Sequence, residues 1–169
     1  MALTDDVDQA RAALTMVQAE PFNAEAPPEA LATDITPTHL HYVRSNFALP
    51  DHDGVLHVGG AVATELSLTL DDLRAMPAVT RAMTMECAGN GRLAQTPLPT
   101  GEPWGMYAVS TARWTGALLH QVLEQAGLRP DGVDVRFEGA DHGPYHQYDE
   151  LRFVRSLDLA HASSGVGPS

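Results

Sequence analysis

The stretch T-M-E-C-A-G-N-G-R, Thr84 to Arg92, holds the only cysteine of the chain. The run before it, A-V-T-R-A-M-T-M-E, alternates well enough to predict a strand over residues 78–86. Behind Cys87 come two glycines and an asparagine, residue types that tolerate unusual backbone angles. The stretch therefore reads as a strand opening into a tight loop. On residue type alone, a lone cysteine is a small buried hydrophobe. A loop rich in N–H groups, with Arg92 five residues on, equally suits a thiolate that acts as nucleophile or as ligand to a soft metal. Both readings stand at this point.

Outward from the loop, short elements of both kinds follow one another. Upstream, H-L-H-Y-V-R-S-N-F (39–47) is a short strand-like run closed by the turn cluster L-P-D-H-D-G. V-L-H-V-G-G-A-V resumes as a strand, with a bend at Gly59-Gly60. Thr69 and Asp72 stand at capping-box spacing, and Pro77 stops the short helix they begin. Downstream, residues 117–126 form the best amphipathic helix, with Leu118, Leu119, Val122, Leu123 and Ala126 on one face. Thr115 is its expected N-cap and Gly127 its stop. V-D-V-R-F-E-G alternates strictly and predicts a strand burying Val133, Val135 and Phe137. Residues 151–162 begin a further strand and helix. Without regular βαβ repetition, this mixture predicts an α+β domain.

The N-terminal residues 1–38 read as a peripheral arm, with a loose helix over 5–19 and then P-F-N-A-E-A-P-P-E-A as an extended surface segment. Residues 39–162 are the organised domain, and 163–169 (A-S-S-G-V-G-P-S from Ala162 on) a disordered tail. An apolar share of 44% in 169 residues is enough for a sizeable core. The charge balance is 10 basic against 22 acidic groups, net -12. No basic stretch emerges, which argues against nucleic acid as a partner. Every basic residue is arginine, so an anion bound here must be held by arginine forks or N–H groups. One cysteine excludes an internal disulfide and a multi-cysteine zinc site. The acidic N-terminus lacks a basic or apolar leader and no run reaches membrane-span length, so a cytoplasmic protein without membrane contact is the expectation, with a periplasmic one also open.

The histidines form no ligand pattern. His39, His41, His52 and His57 are irregularly spaced in turns and strands. Gly143 and Pro144 interrupt the pair His142 and His146, so these read as surface side chains. Trp104 and Trp114, the two tryptophans, read as core or loop anchors, and Arg44, Arg92 and Arg113 as solvated arginines.

Taken together, M-E-C-A-G-N-G-R, P-W-G and A-V-S-T-A-R-W-T-G-A-L-L-H-Q-V-L-E-Q-A-G resemble the molybdenum-cofactor domain of sulfite oxidases and their bacterial relatives. P-F-N-A-E, I-T-P and H-Y-V-R-S-N upstream, and F-E-G-A-D and R-S-L-D-L-A downstream, fit the same family, so the likeness spans residues 21–162. It implies that Cys87 is the single protein thiolate on molybdenum, whose other ligands are pterin dithiolene sulfurs and oxo groups. It implies that Arg44 and Arg92 flank the reacting face and hold an oxyanion. Tyr42, Arg44, Ser45 and Asn46 fall where the family meets the pterin, and Trp104 where it walls the substrate pocket. The implied activity is oxygen-atom transfer to or from a small oxyanion such as sulfite, with molybdopterin as cofactor. Nitrate or a sulfoxide is the alternative substrate. An external electron acceptor, for instance a cytochrome, completes the reaction.

Three departures stand out. Animal sulfite oxidases read Arg-Asn-His where this chain has Arg44-Ser45-Asn46, and two arginines where it has Gly91-Arg92. Asp158 replaces a common proline. The family's domain also runs on with further pterin-phosphate contacts and an immunoglobulin-like dimerisation domain. A C-terminally truncated domain is therefore expected, its full-length parent a homodimer, and a noncatalytic fragment without cofactor is the alternative.

Overall fold

In the computed structural model of the chain, residues 11–145 and 147–164 are described. The first strands are β1 (Thr15–Gln18) and β2 (Asn23–Glu25), which pair antiparallel with an irregularity between Met16 and Gln18. Residues 15–18 thus depart from the predicted N-terminal helix. Thr15 and Val17 are β-branched and favour the strand once a partner is available. Residues 5–10 of that helix lie outside the described residues.

β3 (Val55–Val58) and β4 (Leu66–Thr69) form an antiparallel hairpin from Val55↔Thr69 to Val58↔Leu66. Gly60 turns at its tip with φ 89°, where the bend was predicted. Helix α1 (Leu70–Ala75) starts at the predicted capping box. The Thr69 hydroxyl accepts from Asp72 N at 3.2 Å, and Asp72 Oδ2 accepts from Thr69 N at 2.8 Å. The helix ends two residues before Pro77.

β5 (Ala78–Glu86) coincides with the predicted strand and pairs with β6 (Val109–Ala117). Helix α2 (Leu119–Ala126) begins later than expected. Leu118 is its N-cap, without a side-chain cap bond, because Thr115 belongs to β6 and its hydroxyl meets that of Thr80 at 2.8 Å. Gly127 ends the helix in the left-handed region, φ 71°. β7 (Asp134–Tyr145) and β8 (Tyr148–Asp158) make a long antiparallel hairpin. Helix α3 (Leu159–Ser163) follows, with the Asp158 carboxylate capping His161 N at 3.0 Å. Asp158 thus does here by hydrogen bonding what a helix start requires. Of the predicted tail, residues 165–169 lie outside the described residues.

Among the described residues, four two-stranded ribbons with short helices make the α+β mixture that the sequence predicts. The chain divides into two compact units. One holds the described residues up to Leu49 with Arg81–Trp114; the other holds Pro50–Thr80 with the described residues from Thr115 on. In the first, Ala24, Ala26, Ala30, Phe47, Trp104 and Ala108 are buried. In the second, Val62, Leu68, Val122, Leu123, Ala126 and Ala162 are.

Three further expectations need correction. P-F-N-A-E is not a surface segment: Asn23, Ala24, Glu25 and Ala26 are all buried. Their main chain is paired on both sides, Ala24 with Val43 in both directions at 3.0 and 2.8 Å and Ala26 N with Tyr107 O at 3.1 Å. The run 39–47 contributes only that bridge at Val43 and a 3-10 turn at Thr38–Leu40, not a strand. Val133 and Phe137 are exposed, at 76% and 41%. Val133 precedes β7, and a two-stranded ribbon covers neither of its faces by itself.

Candidate functional site

The Cys87 loop leaves β5 and is tied at every turn to the segment 102–108. Cys87 N donates to Ala108 O at 2.9 Å, Gly91 N to Gly105 O at 2.5 Å and Leu93 N to Trp104 O at 3.0 Å. Within the loop, Asn90 N donates to Cys87 O at 2.8 Å and Arg92 N to Gly89 O at 3.1 Å. Asn90 locks the turn through its side chain: Oδ1 accepts from Ala108 N at 3.1 Å, and Nδ2 donates to Glu86 at 2.8 Å. Gly91 sits in the left-handed region, φ 77°. That conformation favours glycine.

Cys87 itself is neither buried nor fully exposed, and it is a free thiol. Gly89 N–H points at its Sγ at 3.4 Å, an orientation that complements negative charge on sulfur. The predicted alternative of a buried structural cysteine does not fit this placement.

Arg44 and Arg92 come from distant parts of the sequence and meet at one atom. Glu102 Oε2 lies 3.7 Å from Arg44 Nη2 and 3.8 Å from Arg92 Nη1. Each arginine has further anchors. Arg92 Nη1 donates to the Glu102 main-chain carbonyl at 2.7 Å. Arg44 donates to the Ser45 carbonyl through Nη1, and to Asn46 Oδ1 at 2.5 Å through Nη2. Ser45 and Asn46 are thus brought together with Arg44 as its holders. Ser45 is held in turn by Asn23, whose Oδ1 accepts from Ser45 N at 2.7 Å and whose Nδ2 donates to Ser45 O at 3.0 Å.

Tyr42 N donates to Ser110 Oγ at 3.1 Å. Burial raises the Tyr42 phenol above its ordinary range, and negative charge at Cys87 and at Glu86 pushes the same way. Trp104 is fully buried. A Cβ on Gly89 would stand 2.8 Å from Trp104 Cδ1, so the indole lies under the Cys loop. It supports the loop from behind and offers no face to solvent, unlike the expected pocket wall.

Three residues of the site were not anticipated. Glu102 stands just ahead of the quoted P-W-G and Asn23 in the quoted P-F-N-A-E, but nothing in their spacing marks Glu102 as a partner of two arginines or Asn23 as the holder of Ser45. Asn90 was noted for its backbone tolerance only. Trp114 is half-exposed and edge-on to His41, ring centroids 6.2 Å apart, and Arg113 is exposed on β6. His142 pairs with Glu150 on the β7–β8 hairpin, which suits the surface reading; His146 lies outside the described residues.

Among the described residues, no group of three or more His, Cys, Asp or Glu side chains converges as metal ligands. A metal held by Cys87 would therefore have to bring its other ligands with it. A pterin dithiolene does so, and the neighbouring arginines fit the anionic groups such a centre handles.

Comparison with known proteins bears on this arrangement. Residues 46–166 match the family described as the oxidoreductase molybdopterin binding domain. The chain is 43% identical over 141 residues to mitochondrial sulfite oxidase of Rattus norvegicus, covering 78% of this chain and 26% of that protein. It is 39% identical over 135 residues to the NADH nitrate reductase 1 of Oryza sativa subsp. japonica, covering 73% of this chain and 15% of that one. In fold it is similar to the crystal structure of the sulfane dehydrogenase SoxCD from Paracoccus pantotrophus. The TM-score is 0.67 at 22% identity, over 86% of this chain and 36% of that one. The chain spans about a quarter of the length of the mammalian sulfite oxidases it matches.

Proposed function

Because the chain belongs to the oxidoreductase molybdopterin-binding domain family, we propose that its Cys87 site holds molybdenum–molybdopterin and acts by oxygen-atom transfer on a small oxyanion, sulfite first. The observation that carries this reading is that Arg44 and Arg92 converge on a single carboxylate oxygen, with the Arg92 guanidinium against Gly89, whose N–H faces the half-buried Cys87 thiol. Bound there, the cofactor supplies the oxygen transfer and accepts two electrons, which an external acceptor such as a cytochrome removes.

The chain's own residues supply the rest. Cys87 is the thiolate ligand, held by its main-chain bond to Ala108 and by the Gly89 N–H. Arg44 and Arg92 bind and orient the oxyanion with charge-assisted hydrogen bonds. The Asn46 side chain and the Ser45 carbonyl fix Arg44, and the Glu102 carbonyl fixes Arg92, so neither guanidinium has to reorganise when an anion arrives. In a protein of net charge -12, this local positive pair is what makes a small anion welcome.

Molybdenum content tests the reading. The chain and its Cys87→Ser variant are purified from a host that makes molybdopterin, and metal per protein is measured by elemental mass spectrometry. Near-stoichiometric molybdenum in the parent and its loss in the variant is the expected result. Metal absent from both overturns the assignment for this chain. Sulfite-dependent and nitrate-dependent dye reactions then separate the two substrates, the latter suggested by the similarity to a nitrate reductase.

A further inference from the structure

Among the described residues, Glu102 is the acid that both arginines of the site share. Its Oε2 lies within ion-pair reach of Arg44 and of Arg92, at 3.7 and 3.8 Å. The Glu102 side chain is 21% exposed, that of Arg92 21% and that of Arg44 25%, so part of the carboxylate is in contact with water. Its role is separable from its main chain, because the Glu102 carbonyl holds Arg92 at 2.7 Å independently of the carboxylate. Arg44 likewise keeps its Ser45 and Asn46 partners without it.

We infer that the Glu102 carboxylate is an internal competitor of the substrate oxyanion: it occupies Arg44 and Arg92 and must be displaced before an anion can take the same two guanidinium groups. The inference rests on the proposed oxyanion role of these arginines. Its physical content is a population effect. The site binds anions only in the fraction of molecules whose carboxylate has swung away, and the apparent affinity falls by that fraction. Two partly exposed ion pairs of ordinary strength correspond to about a three- to tenfold loss. The same factor applies to any small anion, because the competitor blocks the arginines whatever the ligand. Glu102 thereby sets the anion concentration at which the site responds and leaves its preference among anions unchanged.

Equilibrium binding tests this without turnover. Sulfate and, separately, nitrate are titrated against the purified full chain by calorimetry, alongside Glu102→Gln, Glu102→Asp and Glu29→Gln. Glu29 is an exposed acid of the same unit and controls for net charge. Glu102→Gln keeps the shape and the main-chain bond to Arg92, and is expected to tighten both anions by about three- to tenfold. Glu102→Asp, with a shorter reach, is expected to fall between, and Glu29→Gln to match the parent. Unchanged or weaker binding in Glu102→Gln overturns the inference, as does an equal gain in Glu29→Gln or the absence of anion binding from every protein. If Glu102→Gln does not fold by circular dichroism, the aspartate variant decides by the same criterion. Molybdenum content of the same preparations reports on the cofactor reading separately, so either idea can fail alone.

Discussion

Asn23 and Ser45 exchange two hydrogen bonds across 22 residues, with Asn23 Oδ1 accepting from Ser45 N at 2.7 Å and Asn23 Nδ2 donating to Ser45 O at 3.0 Å. The amide also donates to Pro21 O at 3.0 Å and is fully buried. A single side chain thus fixes the main chain beside Arg44 from both sides. Asn23→Ala leaves the half-buried Ser45 N–H without its partner and is expected to destabilise the chain by about 1–3 kcal/mol. Urea denaturation measures the loss. Sulfate affinity should fall with it, because Arg44 is no longer held in register. Asn23→Asp should be no better, since a carboxylate cannot donate to the two carbonyls. A stable Asn23→Asp protein with parental affinity contradicts the clamp.

The Cys loop rests directly on Trp104. A Cβ at Gly89 would stand 2.8 Å from Trp104 Cδ1 and 2.9 Å from Arg92 Nη2. Gly89→Ala therefore has to push either a buried indole or an arginine of the site. The expected cost is about 1–3 kcal/mol, typical of overpacking, together with reduced molybdenum content. Trp104→Ala empties the support and should cost about 3–5 kcal/mol. If Trp104 acted at the substrate instead, its loss would change KM with stability intact, and thermal melts beside steady-state assays distinguish the two.

Local signals were legible and long-range ones were not. Ala78–Glu86 alternates and follows a proline, and it is β5 to the residue. Thr69 and Asp72 formed the capping box their spacing predicts. The Cys loop, Arg44 and Arg92 were singled out because several motifs stood in order. By contrast, Asn23–Ala26 looked like surface because prolines surround it, and its burial depends on main-chain pairing with Val43 and Tyr107, which leaves no local pattern. The start of α2 slipped because Thr115 could serve as a cap or as a strand partner, and pairing with Thr80 prevailed. Glu102 escaped notice for the same reason: an acid in a Gly-Pro-rich loop reads as solvated until the fold brings two arginines to it.

Acid stability should carry the signature of the α1 cap. The Thr69 hydroxyl, and then the Thr69 main chain, hold the Asp72 carboxyl below its ordinary range. A group whose value is depressed on folding stabilises the folded state above its unfolded value, and that contribution is lost as pH falls through the folded one. Asp72→Asn is therefore expected to be less stable than the parent at neutral pH, with the gap closing as pH drops past the ordinary carboxylate range. Urea midpoints at a series of pH values measure it. A gap that stays constant with pH means that the charge on Asp72 contributes nothing.

Gly91 is where this chain parts from the two-arginine pattern of animal sulfite oxidases, and its backbone gives the departure a cost that can be measured. Its φ is 77°, in the left-handed region, with Met106 Sδ 3.4 Å from where a Cβ would be. Gly91→Arg would add a second cation beside Arg92 but must adopt a conformation that side chains disfavour by about 1–2 kcal/mol. The variant is expected to lose that much stability while binding sulfate more tightly, two effects of opposite sign on one residue. Gly91→Asn separates them, since asparagine visits this region more readily and adds no charge. It should recover most of the stability and leave sulfate affinity at the parental value. If Gly91→Arg proves as stable as the parent, the loop does not require the left-handed turn, and the glycine there reflects charge alone.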